Sequence, residues 1–594
     1  MSPIFLLWFA LLPTMQPSVQ AFADERRGAE ERTGSTAQVN GYLRQYLARL
    51  ERLSPTTTGP DRASIIRHIK RFYETLGYRQ AWTNRQAVAR LIEVVEDSAN
   101  DGLLPSDYHI DEIRSFYQNP SESPALRARA DLLMTDAVFT LISHMRSGKV
   151  YARAIEPDWN IEPPLPGADY DRLLMSAVMG SRFPEIIQSL RPASAEYAAL
   201  RKGLIRLKEI SASGGWENVH SGRPIDKVGA IDSRIPEIRR RLAASGDYVM
   251  PSAGQAVETA GVKAGEKKNG WDKRDSLASA DSLEAPRMDP ETYDLELQEA
   301  AKAFQKRHGL DVDGVIGNET VRAMNVPVAQ RIDQICINLE RYRWFLNSRG
   351  PNYIMVNIPS FTVDLVQNNV RRWNSRVIVG KPDTQTPVFR AEMQYIILNP
   401  HWVIPDGIIV KDKIISSIIK DSSYLEKKNL AIVDNEGHTL SPSSVDWARY
   451  LNGGFPYRLV QASGDEGSLG RIKFMMPNRF TVYMHDTPTK ELFEKSRRAF
   501  SHGCVRVDKP VDLAEIVLQD KARWSKARIQ DAIDTDKTRT INLPKNIPVY
   551  IVYQTAFADG AQVSFRSDIY ERDARLLRVL QSPASSRFVD ELAR

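Results

Sequence analysis

Among 594 residues the chain holds nine histidines and two cysteines, and one stretch gathers two of the former around one of the latter. This stretch, 483–506, reads YMHDTPTKELFEKSRRAFSHGCVR and contains His485, His502 and Cys504. A thiol becomes a working nucleophile when a neighbouring imidazole takes its proton and stabilises the thiolate. His485 ends a predicted strand, a rigid position from which to face a loop. Gly503 lets the backbone turn tightly beside Cys504, so main-chain N–H groups there are candidates to meet a developing oxyanion. Cysteine and histidine also bind zinc, so His485, His502 and Cys504 are a competing metal set. No HExxH motif occurs, and no second acidic ligand pair completes such a set.

The elements that must hold this stretch show a period of two. Tyr353–Ile358, Phe361–Gln367, Ser375–Gly380, Gln394–Leu398, Ile472–Met476, Arg479–His485 and Pro548–Tyr553 are rich in Val, Ile, Tyr and Phe and read as strands. They define a mainly β unit over 353–555. Within it, residues 405–460 turn polar and helical (Ile408–Ile419, Tyr424–Leu430), as an inserted lobe beside the site would. Such lobes often cover substrate.

Upstream, helical periodicity dominates. Residues 38–232 repeat apolar positions at three to five residues, as in Tyr42, Tyr46 and Leu50 or Leu132, Ala137 and Leu141; this region reads as a helical scaffold. Another amphipathic helix begins near 235 with Ile235, Ile238 and Leu242. Residues 249–290 then lose nearly all large apolar side chains and read as a flexible insertion. Periodicity returns at Leu297, Ala301 and Phe304, with Gly309 as a C-cap and Asn318 capping a last short helix. A connecting helix falls within 329–352, and 556–594 forms a C-terminal extension. Cys336 sits in the apolar stripe of that connecting helix, where a small buried hydrophobe is expected.

At the N-terminus, residues 4–12 are an apolar run too short to span a bilayer, followed by Ala21-Phe22-Ala23 as a cleavage site. No Lys or Arg precedes the run. The expectation is a signal peptide over 1–23, a disordered polar linker over 24–37, and a mature chain in the periplasm. Eighty basic against 74 acidic residues leave a net charge of +6, too dilute for nucleic acid. Two cysteines exclude a disulfide framework. The whole is a multidomain α+β chain.

Two resemblances sharpen this reading. The segment AAKAFQKRHGLDVDGVIGNETVRAMNV resembles the small three-helix peptidoglycan-binding module of cell-wall enzymes, through Phe304, Gln305, Gly309, Leu310, Asp313, Gly314, Gly317 and Thr320. Asn318 stands where that family usually has Pro. The module spans 233–328, its first helix separated from the rest by the insertion. His485 followed by Ser501-His502-Gly503-Cys504 resembles the signature of L,D-transpeptidases of the YkuD type. Met484 and Asp486-Thr487-Pro488, Leu492-Phe493, Arg498-Ala499, Val505-Arg506-Val507, Asn399-Pro400, Trp402, Pro405, Leu469-Gly470 and Lys473-Phe474 are similar to the large Gram-negative, YcbB-like subgroup. Gln461-Ala462-Ser463-Gly464 and Ser468 depart from it.

The resemblance implies that Cys504 is the nucleophile and His485 the general base, then acid. His502 would shape the pocket, and the N–H groups of Gly503 and Cys504 would bind the oxyanion. Ser501 and Arg506 would order the loop, or Arg506 would pair with a substrate carboxylate. Asp486 is either the group that orients His485 or a solvated turn residue. The implied reaction joins peptidoglycan stem peptides, donor and acceptor, by 3→3 cross-links without metal or other cofactor, and carbapenems would acylate Cys504. The partners implied are the stems, the glycan and other wall-synthesis proteins. An L,D-carboxypeptidase or D-amino-acid exchange enzyme would use the same site. A non-catalytic wall-binding scaffold is the reading furthest from these.

Overall fold

The computed structural model describes residues 19–50, 62–161, 169–250, 290–346, 349–560 and 562–583, with the backbone alone described over 19–34 and at 169. The apolar run at 4–12, nearly all of the expected flexible insertion 249–290 and the end of the C-terminal extension lie outside them. Residues 24–37, expected as a disordered linker, fall within the helix Val19–Leu50. Their Ala, Glu and Arg content favours helix, and the helix continues into Val39, Leu43, Leu47 and Leu50, which are buried in an apolar core. Among the described residues no helix is long and apolar enough to cross a membrane.

The chain divides into two compact units, one of residues 1–151, 163–193 and 578–594, the other of 152–162 and 194–577. The first is helical. Its central helix, Pro124–Ser147, is buried on nearly every side, so its polar residues must be paired internally. Asp131 accepts the N–H groups of Ala81 and Trp82 and the Tyr73 hydroxyl. Asp136 pairs with Arg62 at 2.8 Å and His109 at 2.7 Å.

The expected scaffold over 38–232 is therefore too long. The helix Ala195–Ala212 belongs to the second unit, where Arg343 of the connecting helix Val328–Phe345 donates to the Tyr197 hydroxyl at 2.8 Å. Val219 and Ile225 join the core of the peptidoglycan-binding-like module. Periodicity marks a buried face but not the partner it packs on. The module core draws on the helices Ile235–Ser245, Leu295–His308 and Asn318–Met324; the insertion expected between the first and second lies almost wholly outside the described residues. Gly317, not Asn318, is the N-cap of the last helix. Gln305 locks the intervening turn, donating to Asp313 Oδ1 and accepting the Gly314 N–H, both at 2.8 Å.

The β unit comprises β1 (Tyr353–Asn357), β2 (Thr362–Gln367), β3 (Val370–Gly380), β4 (Phe389–Leu398), β5 (Trp402–Val403), β6 (Leu430–Val433), β7 (Thr439–Leu440), β8 (Arg458–Gln461), β9 (Ile472–Met475), β10 (Met484–His485), β11 (Ala499–Ser501), β12 (Val505–Val507) and β13 (Arg539–Val552). Nine of these strands form one sheet in the order β11-β3-β12-β10-β9-β4-β13-β1-β2, and β2 also pairs with β3, closing it on itself. The lobe expected as helical has its own four-stranded sheet, β5-β8-β6-β7, beside three short helices. These strands are two to four residues long, too short for an alternation to show. Their core gathers Ile404, Ile409, Ile415, Ile432 and Leu459. The C-terminal extension adds a hairpin, β14 (Ala556–Asp559) with β15 (Gln562–Phe565), and a helix, Asp573–Gln581.

Because Ile238 is fully buried in the module core, Ile238→Ala is expected to cost the module about 2–5 kcal/mol. Thermal unfolding followed by circular dichroism checks this. A melting profile identical to wild type would show that the helix Ile235–Ser245 is not part of the module.

Candidate active site

Short parallel pairing creates the site. β10 and β12 run side by side with Met484 opposite Val505 and His485 opposite Arg506. The Val505 N–H donates to the Tyr483 carbonyl at 3.1 Å, carrying the register back one step and setting Cys504 beside Tyr483. Side chains two apart on a strand share a face, so Tyr483, His485, Cys504 and Arg506 share one. On the other flank β9 pairs antiparallel with β10, placing Lys473 opposite His485. Its Nζ lies 3.8 Å from the centre of the Tyr483 ring.

His485 is buried. Its Nδ1 meets the Asp486 main-chain carbonyl; a carbonyl only accepts, so Nδ1 carries the proton and Nε2 keeps its lone pair. Asp486 thus orients the imidazole through its backbone. Its carboxylate is engaged elsewhere, accepting the Arg471 N–H at 2.8 Å and pairing with Lys490. Gly470 permits this, with φ at +58° and the Asp486 Cγ where a Cβ would stand. Burial drives His485 down to about 3, and the cations Arg506 and Lys473 add to the shift.

Cys504 is half-buried. Burial pushes its thiol above the ordinary range, opposed by the Tyr483 N–H and hydroxyl and by the charges of Lys473 and Arg506. The thiol also lies 3.9 Å from the Thr481 carbonyl. Thr481 has φ at +57°, strained for a β-branched residue. Asn478 pins this loop, accepting the N–H groups of Phe480 and Val482 at 3.0 and 3.2 Å and donating to the Val482 carbonyl at 2.7 Å. Burial thus biases both groups toward their uncharged forms, the imidazole and the thiol alike.

The nucleophile loop is held from several sides. Ser501 Oγ donates to the Cys504 carbonyl at 2.6 Å and accepts the Gly503 N–H at 3.1 Å. The Gly503 N–H, expected for the oxyanion, is therefore committed to Ser501; the Cys504 N–H and the Tyr483 hydroxyl are the donors beside the sulfur. Gly503 has φ at +115°, the left-handed side that favours glycine. Its carbonyl accepts from Thr386 Oγ1 at 2.9 Å, and the Ser501 carbonyl accepts from Thr384 Oγ1 at 3.1 Å. Tyr570 of the C-terminal extension braces that support, donating to the Gly380 carbonyl at 2.6 Å and accepting the Thr386 N–H at 3.2 Å.

His502 points to the inserted lobe, its Nε2 3.0 Å from Asp412 Oδ1. The lobe meets the site again through Trp402, whose side chain bonds that of Tyr483. Arg506 donates to Thr489 Oγ1 at 3.2 Å, while its buried Nε has no acceptor. Neither Arg506 nor Lys473 has a carboxylate partner among the described residues. His485, His502 and Cys504 do not converge as ligands; the trio of described residues that does, Asp434, Glu436 and His438, lies in the β6–β7 hairpin of the lobe.

Sequence reasoning missed Tyr483 and used Lys473 only as a flanking match. The signal was present: Tyr483 precedes His485 by two on a strand, and Lys473 is cationic in an otherwise apolar strand. Cys336, expected as buried, is half-buried, and burial still pushes its thiol up to about 11.

Alkylation separates these thiols. Because burial raises the Cys504 thiol, its thiolate fraction grows as pH rises, and iodoacetamide labelling should climb steadily from pH 6 through the alkaline range. Peptide mapping should find Cys504 modified well ahead of Cys336. A labelling rate already flat from pH 6 would instead reveal a resting thiolate–imidazolium pair.

Comparison with known proteins fits this geometry. Residues 351–551 match the family described as the L,D-transpeptidase catalytic domain, residues 67–204 that described as a scaffold domain, and residues 277–324 that described as a "Putative peptidoglycan binding domain". A Haemophilus influenzae protein named "Putative L,D-transpeptidase" is 36% identical over 225 residues, which are 38% of this chain and 45% of the relative. The match thus spans less than half of either protein. The chain carries an L,D-transpeptidase catalytic domain together with a peptidoglycan-binding domain.

Proposed function

We propose that the protein forms 3→3 cross-links between peptidoglycan stem peptides through a thioester on Cys504, in the periplasm. The observation that carries this reading is the shared face of Cys504, His485, Tyr483 and Arg506, inside a domain that matches the L,D-transpeptidase family. The Cys504 sulfur attacks the carbonyl carbon of the third stem residue while its proton passes to His485 Nε2. The Cys504 N–H and the Tyr483 hydroxyl receive the oxyanion. The C–N bond to the terminal D-alanine then breaks, and His485 returns the proton to the departing amine. An amine of a second stem attacks the thioester, its proton passes to His485, and the C–S bond breaks as His485 hands that proton to the sulfur, restoring the thiol. The acyl bond conserves the energy of the peptide bond it replaces, so the exchange requires no ATP.

The low basicity of His485 fits a proton transfer coupled to attack. In the resting site an imidazolium beside Arg506 and Lys473 is disfavoured; once negative charge develops on the substrate oxygen, the same cations stabilise the transition state. Arg506 and Lys473, lacking carboxylate partners, are also suited to hold a carboxylate of the donor stem. Hydrolysis or D-amino-acid exchange would use the same thioester, the outcome depending on whether water or an amine reaches it. Carbapenems, which present a reactive carbonyl and a carboxylate, fit the same face. Within the wall, other synthetic enzymes are natural neighbours.

Incubating the enzyme with tetrapeptide-bearing muropeptides, followed by chromatography and mass spectrometry, tests the proposal. Cross-linked dimers should appear with wild type and vanish with Cys504→Ala, while His485→Ala should fall by about 10²–10⁴-fold. Arg506→Gln and Lys473→Met should each lower kcat/KM for the donor by about ten- to a hundredfold. Tripeptides without dimers would make the enzyme a carboxypeptidase, and dimers formed by Cys504→Ala would end the thiol mechanism.

A further inference from the structure

A cavity of about 430 Å³ opens where the peptidoglycan-binding module, the connecting helix and the C-terminal extension meet, and none of the residues on the catalytic face line it. Arg331 of the connecting helix and Arg566, just after β15, both contribute to its wall. Arg331 is only 8% exposed. Its guanidinium stacks over the Phe565 ring at 4.7 Å and donates to neutral acceptors alone, Gln334 Oε1 at 2.9 Å and the Ala323 carbonyl at 3.3 Å. Its Nε is buried without an acceptor. Arg566 donates to the carbonyls of Arg307 and Phe565 at 2.9 and 2.7 Å.

Neither arginine forms an ion pair with a carboxylate among the described residues, although the charge of Asp559 acts on Arg566 from further off. Acids do line the cavity, but their charge is directed elsewhere. Glu319 pairs with Arg322 at 3.2 Å, and Asp573 with Arg341 at 2.6 Å. Asp568 accepts the Tyr553 hydroxyl at 2.5 Å, and burial raises the Asp333 carboxyl above its ordinary range. Burial and the nearby charges of Arg241 and Arg307 pull Arg331 down to about 9. A buried cation without an anion is costly; a ligand that brings one is bound by the relief of that cost.

We propose that this cavity is a second stem-peptide site, in which Arg331 and Arg566 take a carboxylate of a peptidoglycan stem. Its size suits a short peptide segment, and the Phe565 ring offers an apolar wall beside the charge. The adjoining module belongs to a family described as peptidoglycan-binding, so the site would hold the wall polymer while Cys504 acts on another stem. The inference rests on the peptidoglycan reading of the protein but not on the cross-linking chemistry.

The test uses the full chain with Cys504 capped by iodoacetamide, and follows equilibrium binding of a soluble disaccharide-tripeptide by calorimetry. Arg331→Gln and Arg566→Gln should each weaken binding about tenfold, as loss of a charge-assisted hydrogen bond does. The same ligand with its carboxyls amidated should bind equally weakly to wild type and both variants. Uncapped variants should still turn over a soluble donor, which verifies their fold. Unchanged binding in both variants, or equal binding of the amidated ligand, would overturn the proposal. So would tighter binding of a glycerol-phosphate oligomer than of the stem, since the anion held would then be a phosphate. Failure of these binding results with turnover intact would strike the cavity alone; absent turnover in wild type would strike the catalytic reading instead.

Discussion

Two steps of parallel β pairing, Met484 with Val505 and His485 with Arg506, hold the chemistry of this protein in register. Parallel neighbours point matched side chains to the same side, so the imidazole and guanidinium share a face, and the adjoining loops carry the phenol and thiol onto it one step further back. A slip of one residue would turn His485 and Tyr483 away from that face. The surrounding structure resists such a slip. β9 clamps the other edge of β10, Asn478 pins the preceding loop, and Ser501, Thr384 and Thr386 hold the loop that carries Cys504.

Burial then sets the electrical state of the site. It favours neutral imidazole and neutral thiol together, while Lys473 and Arg506 remain as unmatched cations beside them. Such a site is preorganised for negative charge that arrives with the substrate and grows during attack, rather than for a charge stored at rest. Two polar links tie the inserted lobe to the site, His502 with Asp412 and Tyr483 with Trp402.

Much of this was legible in the sequence because the nucleophile loop is contiguous. Ser501, His502, Gly503 and Cys504 announce themselves by type and order, and His485 by a fixed gap to them. The module was legible for the same reason, through Gln305 and the Asp313–Gly314 turn that its side chain locks. What stayed hidden depends on contacts between distant segments. The role of Tyr570 cannot be read from its neighbours, because its partners are Gly380 and Thr386. The Gly503 N–H looked available until the Ser501 hydroxyl was found to accept it. Asp486 read as either an orienting group for His485 or a solvated turn residue; its backbone does the orienting while its side chain serves Arg471. The boundary of the scaffold failed because periodicity names a buried face and not its neighbour.

The account stands on a sulfur–imidazole pair that is neutral at rest and reacts by transferring its proton as the bond to carbon forms. Intact-mass spectrometry after brief mixing with a tetrapeptide donor, in the absence of any acceptor stem, reads that step directly. Wild type should gain the mass of the donor less one D-alanine, mapped by fragmentation to Cys504, and His485→Ala should gain almost none over the same interval. An adduct on any other residue, or equal acylation of wild type and His485→Ala, would contradict it.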